Sequence, residues 1–430
     1  MQNKKVLIIC YYWPPAGGPG VQRWLKFVKY LPQFGIDPVV YIPDGANYPI
    51  IDKSLQAEIP EGITILRKPI REPYRYAAML SRKHTKSISA GLVPETTKQS
   101  VLQRFLLFIR GNVFIPDARV LWVKPSMRFL KKYIKQQEID TVITTGPPHS
   151  LHLIGYGLKK HNTTINWITD FRDPWTTISY HDKLKMSSWA KKKHKALESK
   201  ILNAANSCIV TSPTTQQDFK QLTSRPVHII TNGYDDYDPI ETTPSTTFTI
   251  AHIGSLLTDR NPEILWQCLQ ELKQEKRIAQ DFKIQLVGEV SEAIVTTIIA
   301  YHLEDHLDLV GYVSHQEALV YQHKASILLL IEIDKPETKA IIPGKIFEYL
   351  QAGRPIVALG PLGADIKTIL QETNAGTFVT YTEKEVLKET IAQEYINFQK
   401  GELTSTRTTI SKYHRKALTK ELAHIIENIL

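Results

Sequence analysis

Cysteine is scarce in this chain: Cys10, Cys208 and Cys268 are the only three, each inside an apolar run. An odd number of scattered, core-like thiols excludes a disulfide framework and points to a reducing compartment. Long hydrophobic runs are missing as well. No stretch reaches the ~18 apolar residues that a membrane-spanning helix needs. The first ten residues are charged and then only briefly apolar, the pattern of a buried strand and not of a secretory signal. Together these absences predict a cytoplasmic protein. No Cys/His cluster, nucleophile elbow or Walker sequence appears, and no GxGxxG follows the first strand. Asp236, Tyr237 and Asp238 have the spacing of an acidic metal triplet but fall in a Pro/Thr-rich stretch, so no metal site and no cofactor are expected.

Negative charge is nearly absent from one region. Between Leu66 and Lys135 there are sixteen Lys and Arg against Glu72, Glu95 and Asp117 alone. A second basic run, 183–200, contains Lys191, Lys192 and Lys193 in sequence. These two segments more than account for a net charge of +10. Two basic segments in one half suit an anionic partner, either a membrane surface or a phosphorylated substrate, and equally suit a solvated face.

The remaining composition is that of a globular protein: 42% hydrophobic and 22% charged in 430 residues, enough for two domains of about 200 residues each. In the first half, apolar runs at 5–10, 38–42, 63–66, 141–145, 166–169, 207–211 and 228–231 read as strands separated by helical patterns. After Gly20, Val21, Leu25, Val28 and Leu31 repeat at spacings of three and four, one face of a helix. The basic, aromatic piece 73–134 interrupts the alternation and is expected as a helical insertion packed on the first domain. A fresh alternation follows at 248–253, 283–287, 307–310, 327–330, 356–359 and 377–380. Strands alternating with helices predict parallel sheets, hence an α/β protein of two Rossmann-like domains facing across a cleft. The expected boundaries are 1–235 for the first domain, 236–247 for a linker, 248–408 for the second domain, and 409–430 for a helix that crosses back to the first.

Ligands in such sheets bind beyond the carboxyl ends of the strands, and five motifs lie at those ends. Gly17 and Gly18, in the Pro/Gly-rich loop 14–20, let backbone approach a ligand just before a helix start. His149, in a Gly-Pro-Pro-His-Ser tip, offers a donor to a sugar hydroxyl or phosphate, although a lone histidine there is as readily structural. Asp170, Arg172 and Asp173 leave a strand together, either as a hydroxyl-binding set or with Arg172 and one Asp as a loop brace. In the second half, Gly254 permits close approach and Arg260 offers a forked phosphate donor. Gly344 and Lys345 open a helix whose first N–H groups suit a pyrophosphate, and Glu348 lies one turn on, where a carboxylate can accept two bonds from a ribose diol.

Taken together, these motifs resemble glycosyltransferase family 4, whose members share the GT-B fold. The loop 14–20 is similar to the family's N-terminal glycine loop, and Asn47-Tyr48-Pro49 to a tripeptide after its second strand. Thr231-Asn232-Gly233-Tyr234-Asp235 is similar to the segment closing its first domain. Gly254 to Arg260 resembles its phosphate-binding strand end, with Ser255 in place of the first basic residue. Glu348 falls on the second Glu of the family's E-x7-E motif, while the first would fall on Ala340, a departure that leaves open which group touches the donor sugar.

The resemblance implies a retaining, metal-independent transfer from a nucleoside-diphosphate sugar to a glycan or lipid-linked acceptor, by front-face attack with the departing diphosphate taking the acceptor proton. Gly17, Gly18, Gly254, Arg260, Gly344, Lys345 and Glu348 then bind the donor, and His149 and Asp173 are the catalytic candidates. An anionic membrane surface is a further expected partner and gives a peripheral location on the inner face. In 102–135, Phe105, Leu106, Leu107, Phe108 and Trp122 are interleaved with Arg104, Arg110, Arg119, Lys124 and Arg128, which suits an anionic interface. The alternatives are a sugar-nucleotide epimerase of the same architecture and a non-catalytic, membrane-associated nucleotide-sugar binder, which release of nucleoside diphosphate on adding acceptor separates from the enzyme. Nucleic acid is not an expected partner, since no reader motif accompanies the basic segments.

Overall fold

The computed structural model describes residues 3–72, 101–177, 184–237, 240, 242–403 and 407–429, with the backbone alone at 101–106. The chain divides into unit 1, Met1–Asn232 with Arg415–Leu430, and unit 2, Gly233–His414. All three cysteines are buried and free. No helix among the described residues is long and apolar enough to cross a membrane.

Unit 1 contains β1 (Lys4–Ile9), α1 (Pro19–Tyr30), β2 (Ile36–Asp44), β3 (Thr64–Pro69), α2 (Val101–Asn112), α3 (Val120–Gln136), β4 (Thr141–Gly146), α4 (Ser150–His161), β5 (Asn166–Phe171), α5 (Ser188–Ala204), β6 (Ser207–Val210), α6 (Pro213–Lys220) and β7 (Val227–Ile229). Its strands pair in parallel in the order β3-β2-β1-β4-β5-β6-β7. Successive side chains of a strand face opposite ways. Leu7 and Ile9 accordingly join one core layer, and Val6, Ile8 and Cys10 the other. Both faces of the strand must therefore be apolar, which is why the run 5–10 is continuous and does not alternate.

Unit 2 contains β8 (Thr249–Ile253), α7 (Glu263–Gln274), β9 (Lys283–Val287), α8 (Glu292–Ala300), β10 (Leu307–Gly311), α9 (His315–Lys324), β11 (Ile327–Ile331), α10 (Lys345–Ala352), β12 (Ile356–Gly360), α11 (Ile366–Thr373), β13 (Gly376–Thr380) and α12 (Lys384–Lys400). The sheet order is β10-β9-β8-β11-β12-β13, again parallel throughout. The last helix, α13 (Arg415–Glu427), belongs to unit 1. Its Leu418, Leu422 and Ile426 are buried beside Val21, Leu25 and Val28 of α1. Each such burial contributes about 1.5–3 kcal/mol, so α13 is part of that core.

Two expectations change. Of the segment 73–134, residues 73–100 lie outside the described part, and the rest is no separate insertion. It supplies α3, the crossover from edge strand β3 to β4 beside β1, which a parallel sheet requires. Trp122, Val123, Leu130 and Ile134 are buried in the core, and Trp122 stacks on Tyr41 at 4.9 Å. Trp122 and Leu107, expected at a lipid interface, are thus interior residues, and Arg119 is 7% exposed. The side chains of Arg104, Phe105 and Leu106 lie outside the described part.

The Pro/Thr-rich stretch 236–247, expected as a linker, is packed within unit 2 where it is described. The Tyr237 hydroxyl meets His323 Nε2 at 3.1 Å, and Ser245 N donates to Lys324 O at 3.1 Å. Irregular backbone still needs partners for its polar groups. Asp238 lies outside the described residues.

In each sheet the strand order reverses once, between β1 and β4 and between β8 and β11. The crevice beyond the carboxyl ends at such a reversal is where open α/β sheets bind ligands.

Candidate functional site

In unit 2, the β8–β11 reversal gathers four titratable side chains. Gly254 follows β8 with φ +116°, a conformation that side chains resist, and a Cβ there would lie 2.7 Å from Lys345 Nζ. Glycine thus makes the space in which the ammonium rests. Lys345, the first residue of α10, also places Nζ 3.4 Å from His252 Nε2. His252 Nδ1 lies 3.1 Å from Leu329 O, and a carbonyl can only accept, so the proton is on Nδ1 and Nε2 is free to accept from Lys345. Burial, then Lys345, holds the imidazole well below its ordinary range, in keeping with this neutral tautomer.

Arg260 stands on the short turn Thr258–Arg260. Its Nη2 is 3.5 Å from Oε2 of Glu332, which directly follows β11 and is 3% exposed. Neither Arg260 Nε nor Glu332 Oε2 has a hydrogen bond. Burial pushes the Glu332 carboxyl up, while Arg260 and Lys345 pull it down. Lys345 is half-buried by surface, but its ammonium is enclosed over Gly254. That burial and neighbouring Arg260 push it down to about 8, against Glu332 and Glu348. Arg260 and Lys345 lie beside Glu332, with Glu348 further along α10, and because burial works against the Glu332 charge these cations suit a multiply charged anion.

Gly344 is the N-cap of α10, and a Cβ there would meet nothing within 4 Å; of the first N–H groups, those of Ile346 and Phe347 donate to Pro343 O and Gly344 O at 3.1 and 3.2 Å. Glu348, one turn on, accepts from Gln322 Nε2 at 3.1 Å and pairs with His315 Nε2 at 3.2 Å, both from α9. A carboxylate has about four acceptor sites, and Gln322 and His315 hold Glu348 in place from α9. Sequence reasoning missed His252, Glu332, His315 and Gln322. Only Glu332 had a signal, an acid placed directly after the apolar run 327–331.

Unit 1 places its expected residues at the β1–β4 reversal. Gly18 is the N-cap of α1 with φ +102° and open space at its Cβ position. Gly17 differs: its N donates to Ile50 O at 3.0 Å, and a Cβ would press on Ile50 and Asp52, so glycine there serves loop packing. His149 is 3% exposed, its ring stacked on Trp175 at 4.7 Å with a 2° interplanar angle. One face of the ring is therefore committed to packing. Asp173 is open to solvent, though protein atoms crowd its carboxyl and push it up against the pull of Arg172.

The brace of this loop is not an Arg172–Asp pair. Asp170 accepts from Arg23 Nη2 at 2.9 Å, Trp24 Nε1 at 2.8 Å and Thr145 Oγ1 at 2.8 Å, while Arg172 donates to Pro147 O. Gly20 is needed for this, because a Cβ there would collide with the Arg172 guanidinium. Among the described residues, no group of three or more His, Cys, Asp and Glu is arranged to hold a metal ion.

A family model for group 1 glycosyl transferases matches residues 247–396, and a model for glycosyltransferase family 4 matches residues 77–237. No curated protein matches the chain. Three similar solved structures are sucrose-phosphate synthase from Thermosynechococcus elongatus (14% identity, TM-score 0.62, 99% of this chain and 98% of that one), HepE from Anabaena in complex with UDP and glucose (14%, 0.59, 99% and 100%), and a putative UDP-N-acetylglucosamine 2-epimerase from Listeria monocytogenes (10%, 0.52, 99% and 96%). At such identities the likeness shows the fold alone, and that fold is GT-B. With the two family models, it makes the protein a GT-B glycosyltransferase. The chain belongs to glycosyltransferase family 4.

Proposed function

We propose that the protein transfers a sugar, with retention at the anomeric carbon and without a metal ion, from a nucleoside-diphosphate donor to a glycan or lipid-linked acceptor. The observation that carries this reading is the gathering of Lys345 over Gly254 with Arg260 on Glu332 nearby, and Glu348 one turn along α10. Arg260, Lys345 and the α10 N-terminus at Gly344 hold the diphosphate, and Glu348 takes the ribose diol. Gly18, in the loop that Gly17 packs, and the exposed Asp173 serve the sugar and the acceptor. His149 acts with them through the ring edge that its stack on Trp175 leaves over. The departing diphosphate accepts the acceptor's proton, so no dedicated carboxylate base is needed. The protein works on the inner face of the cytoplasmic membrane, with an anionic lipid surface as a partner. The UDP in the HepE complex supports a uridine donor as the first to try.

Calorimetric titration with UDP tests the site. Glu348→Gln loses one charge-assisted bond and should weaken binding by about 1.5–3 kcal/mol, with the fold unchanged. Equal affinity of the variant for the nucleotide bound by the wild type would remove the ribose role. Nuclear magnetic resonance of the product then reads the anomeric configuration, and inversion would refute retention.

A further inference from the structure

We propose that unit 1 docks on an anionic lipid bilayer through a composite face formed by the end of α2 and the start of α5, with Trp189 as the side chain that enters the interface. This names the surface behind the membrane part of the reading above and rests on that part.

The two segments are far apart in sequence but built to meet. Asn112, closing α2, accepts from Ser187 N at 2.8 Å and donates to Lys185 O at 3.3 Å. A Cβ on Gly111 would lie 2.6 Å from Leu184 O and 2.9 Å from Met186 Cγ, so glycine is what lets the backbones approach. Ser187 then caps α5 by accepting from Ala190 N at 3.2 Å. Trp189 therefore sits in the first turn of a fixed helix, not on a loose loop.

The apolar side chains at this junction face outward. Trp189 is 60% exposed, Val113 64% and Phe108 48%. Phe108 and Asn112 are one turn apart on the same helix face, and Asn112 also donates to Phe108 O at 2.8 Å. Around them Lys185, Lys192 and Lys193 are exposed, and Lys193 Nζ lies 4.7 Å over the Trp189 ring. The acids of these segments point elsewhere. Within 107–135 and 184–200 the described acids are Asp117 and Glu198. Asp117 accepts from the Arg119 and Ser150 amides, and Glu198, 3% exposed, accepts from Thr176.

Cations ringing an exposed Trp, Phe and Val match a bilayer whose headgroups are negative and whose interior is apolar. Tryptophan favours that boundary, and each surface cation adds attraction to anionic lipid. A nucleic acid or anionic glycan would match the lysines but leave Val113 and Phe108 without a use.

The molecule carries its own reporter. The other six tryptophans are at most 1% exposed, so contact quenching by lipid reads Trp189. With phosphatidylglycerol vesicles bearing brominated acyl chains at low salt, emission should shift to the blue and be quenched. Phosphatidylcholine vesicles should have no effect, and high salt should reverse the binding. Trp189→Ala should lose the quenching. Lys192→Glu with Lys193→Glu should weaken vesicle binding about tenfold or more, with nucleotide affinity unchanged. Wild-type protein that ignores phosphatidylglycerol overturns both this surface and the membrane reading. Co-sedimentation without quenching, or unaltered by the lysine reversals, overturns this surface alone. Tighter binding to single-stranded DNA than to vesicles at equal salt overturns it in favour of a nucleic-acid partner.

Discussion

The two units both bring charge to the carboxyl ends of their strands and treat it in opposite ways. In unit 1 the charges are spent on one another. Asp170 takes three donors, and Arg23, which supplies one of them, also donates to Thr231 O at 2.7 Å. Glu72 likewise accepts from the Tyr11 hydroxyl at 2.6 Å and the Asn47 amide at 2.8 Å, with Arg119 at 3.3 Å. In unit 2, Arg260 stands 3.5 Å from Glu332 with the Lys345 charge acting on the same carboxyl, and Glu332 Oε2 is left without a hydrogen bond, whereas both oxygens of Asp170 and of Glu72 accept one. A buried carboxylate with both oxygens bonded specifies a fold. Cations gathered beside a carboxyl whose charge burial disfavours are costly to the fold and favour binding an anion.

The largest expected effect breaks the satisfied network. Asp170→Asn leaves the Arg23 guanidinium buried without its countercharge, and removing one partner of such a pair costs about 3–5 kcal/mol. Urea unfolding followed by tryptophan emission reads this well, because Trp266 alone of the seven lies in unit 2. Glu332→Gln, read in the same titration by far-ultraviolet circular dichroism because six of the tryptophans report on unit 1, should cost less than Asp170→Asn, since burial already works against the Glu332 charge. If the two variants lose equal stability, the contrast between the units fails.

The next effect belongs to binding. Arg260→Ala should weaken nucleoside diphosphate by about 1.5–3 kcal/mol, roughly 10- to 150-fold, and leave the free nucleoside little changed. Equal losses for both ligands in calorimetry would make Arg260 a loop brace, the part that Arg172 plays in unit 1.

Sequence patterns disclosed the sheets well, because strands covered by helices on both faces must be continuous apolar runs. They disclosed Gly254, Lys345 and Glu348 because a glycine after a strand and a cation at a helix start each carry a local meaning. The partnerships were out of reach. His252 and Lys345 are 93 residues apart, and their meeting depends on β8 lying beside β11. Composition also misled: basic and aromatic residues in 73–134 suggested an insertion, yet the amphipathic crossover helix α3 within it has the same composition. Trp122 went to the core and Phe108 to the surface because of which side of its helix each occupies. The Gly-Pro-Pro-His tip was visible, but not that Trp175 would cover the His149 ring.

The smallest expected effect is the pH dependence that Lys345 brings to unit 2. Lys345 is held down to about 8 in place of its ordinary 10.5. Between these values the folded protein has shed a proton that the unfolded chain retains, so stability should rise with pH across that window. Diphosphate binding should move the other way. It favours the charged ammonium, so affinity should be constant below pH 8 and fall above it, towards tenfold per unit. Lys345→Met should bind more weakly at pH 7 and lose the decline. His252→Phe, which removes the Nε2 acceptor, should keep the decline but move its midpoint, because the imidazole shares in enclosing the ammonium. A titration of UDP affinity from pH 6.5 to 9.5 decides this. A wild-type profile flat through pH 9 would mean that the ammonium lies in water, and the enclosed cation that sets unit 2 apart would be gone.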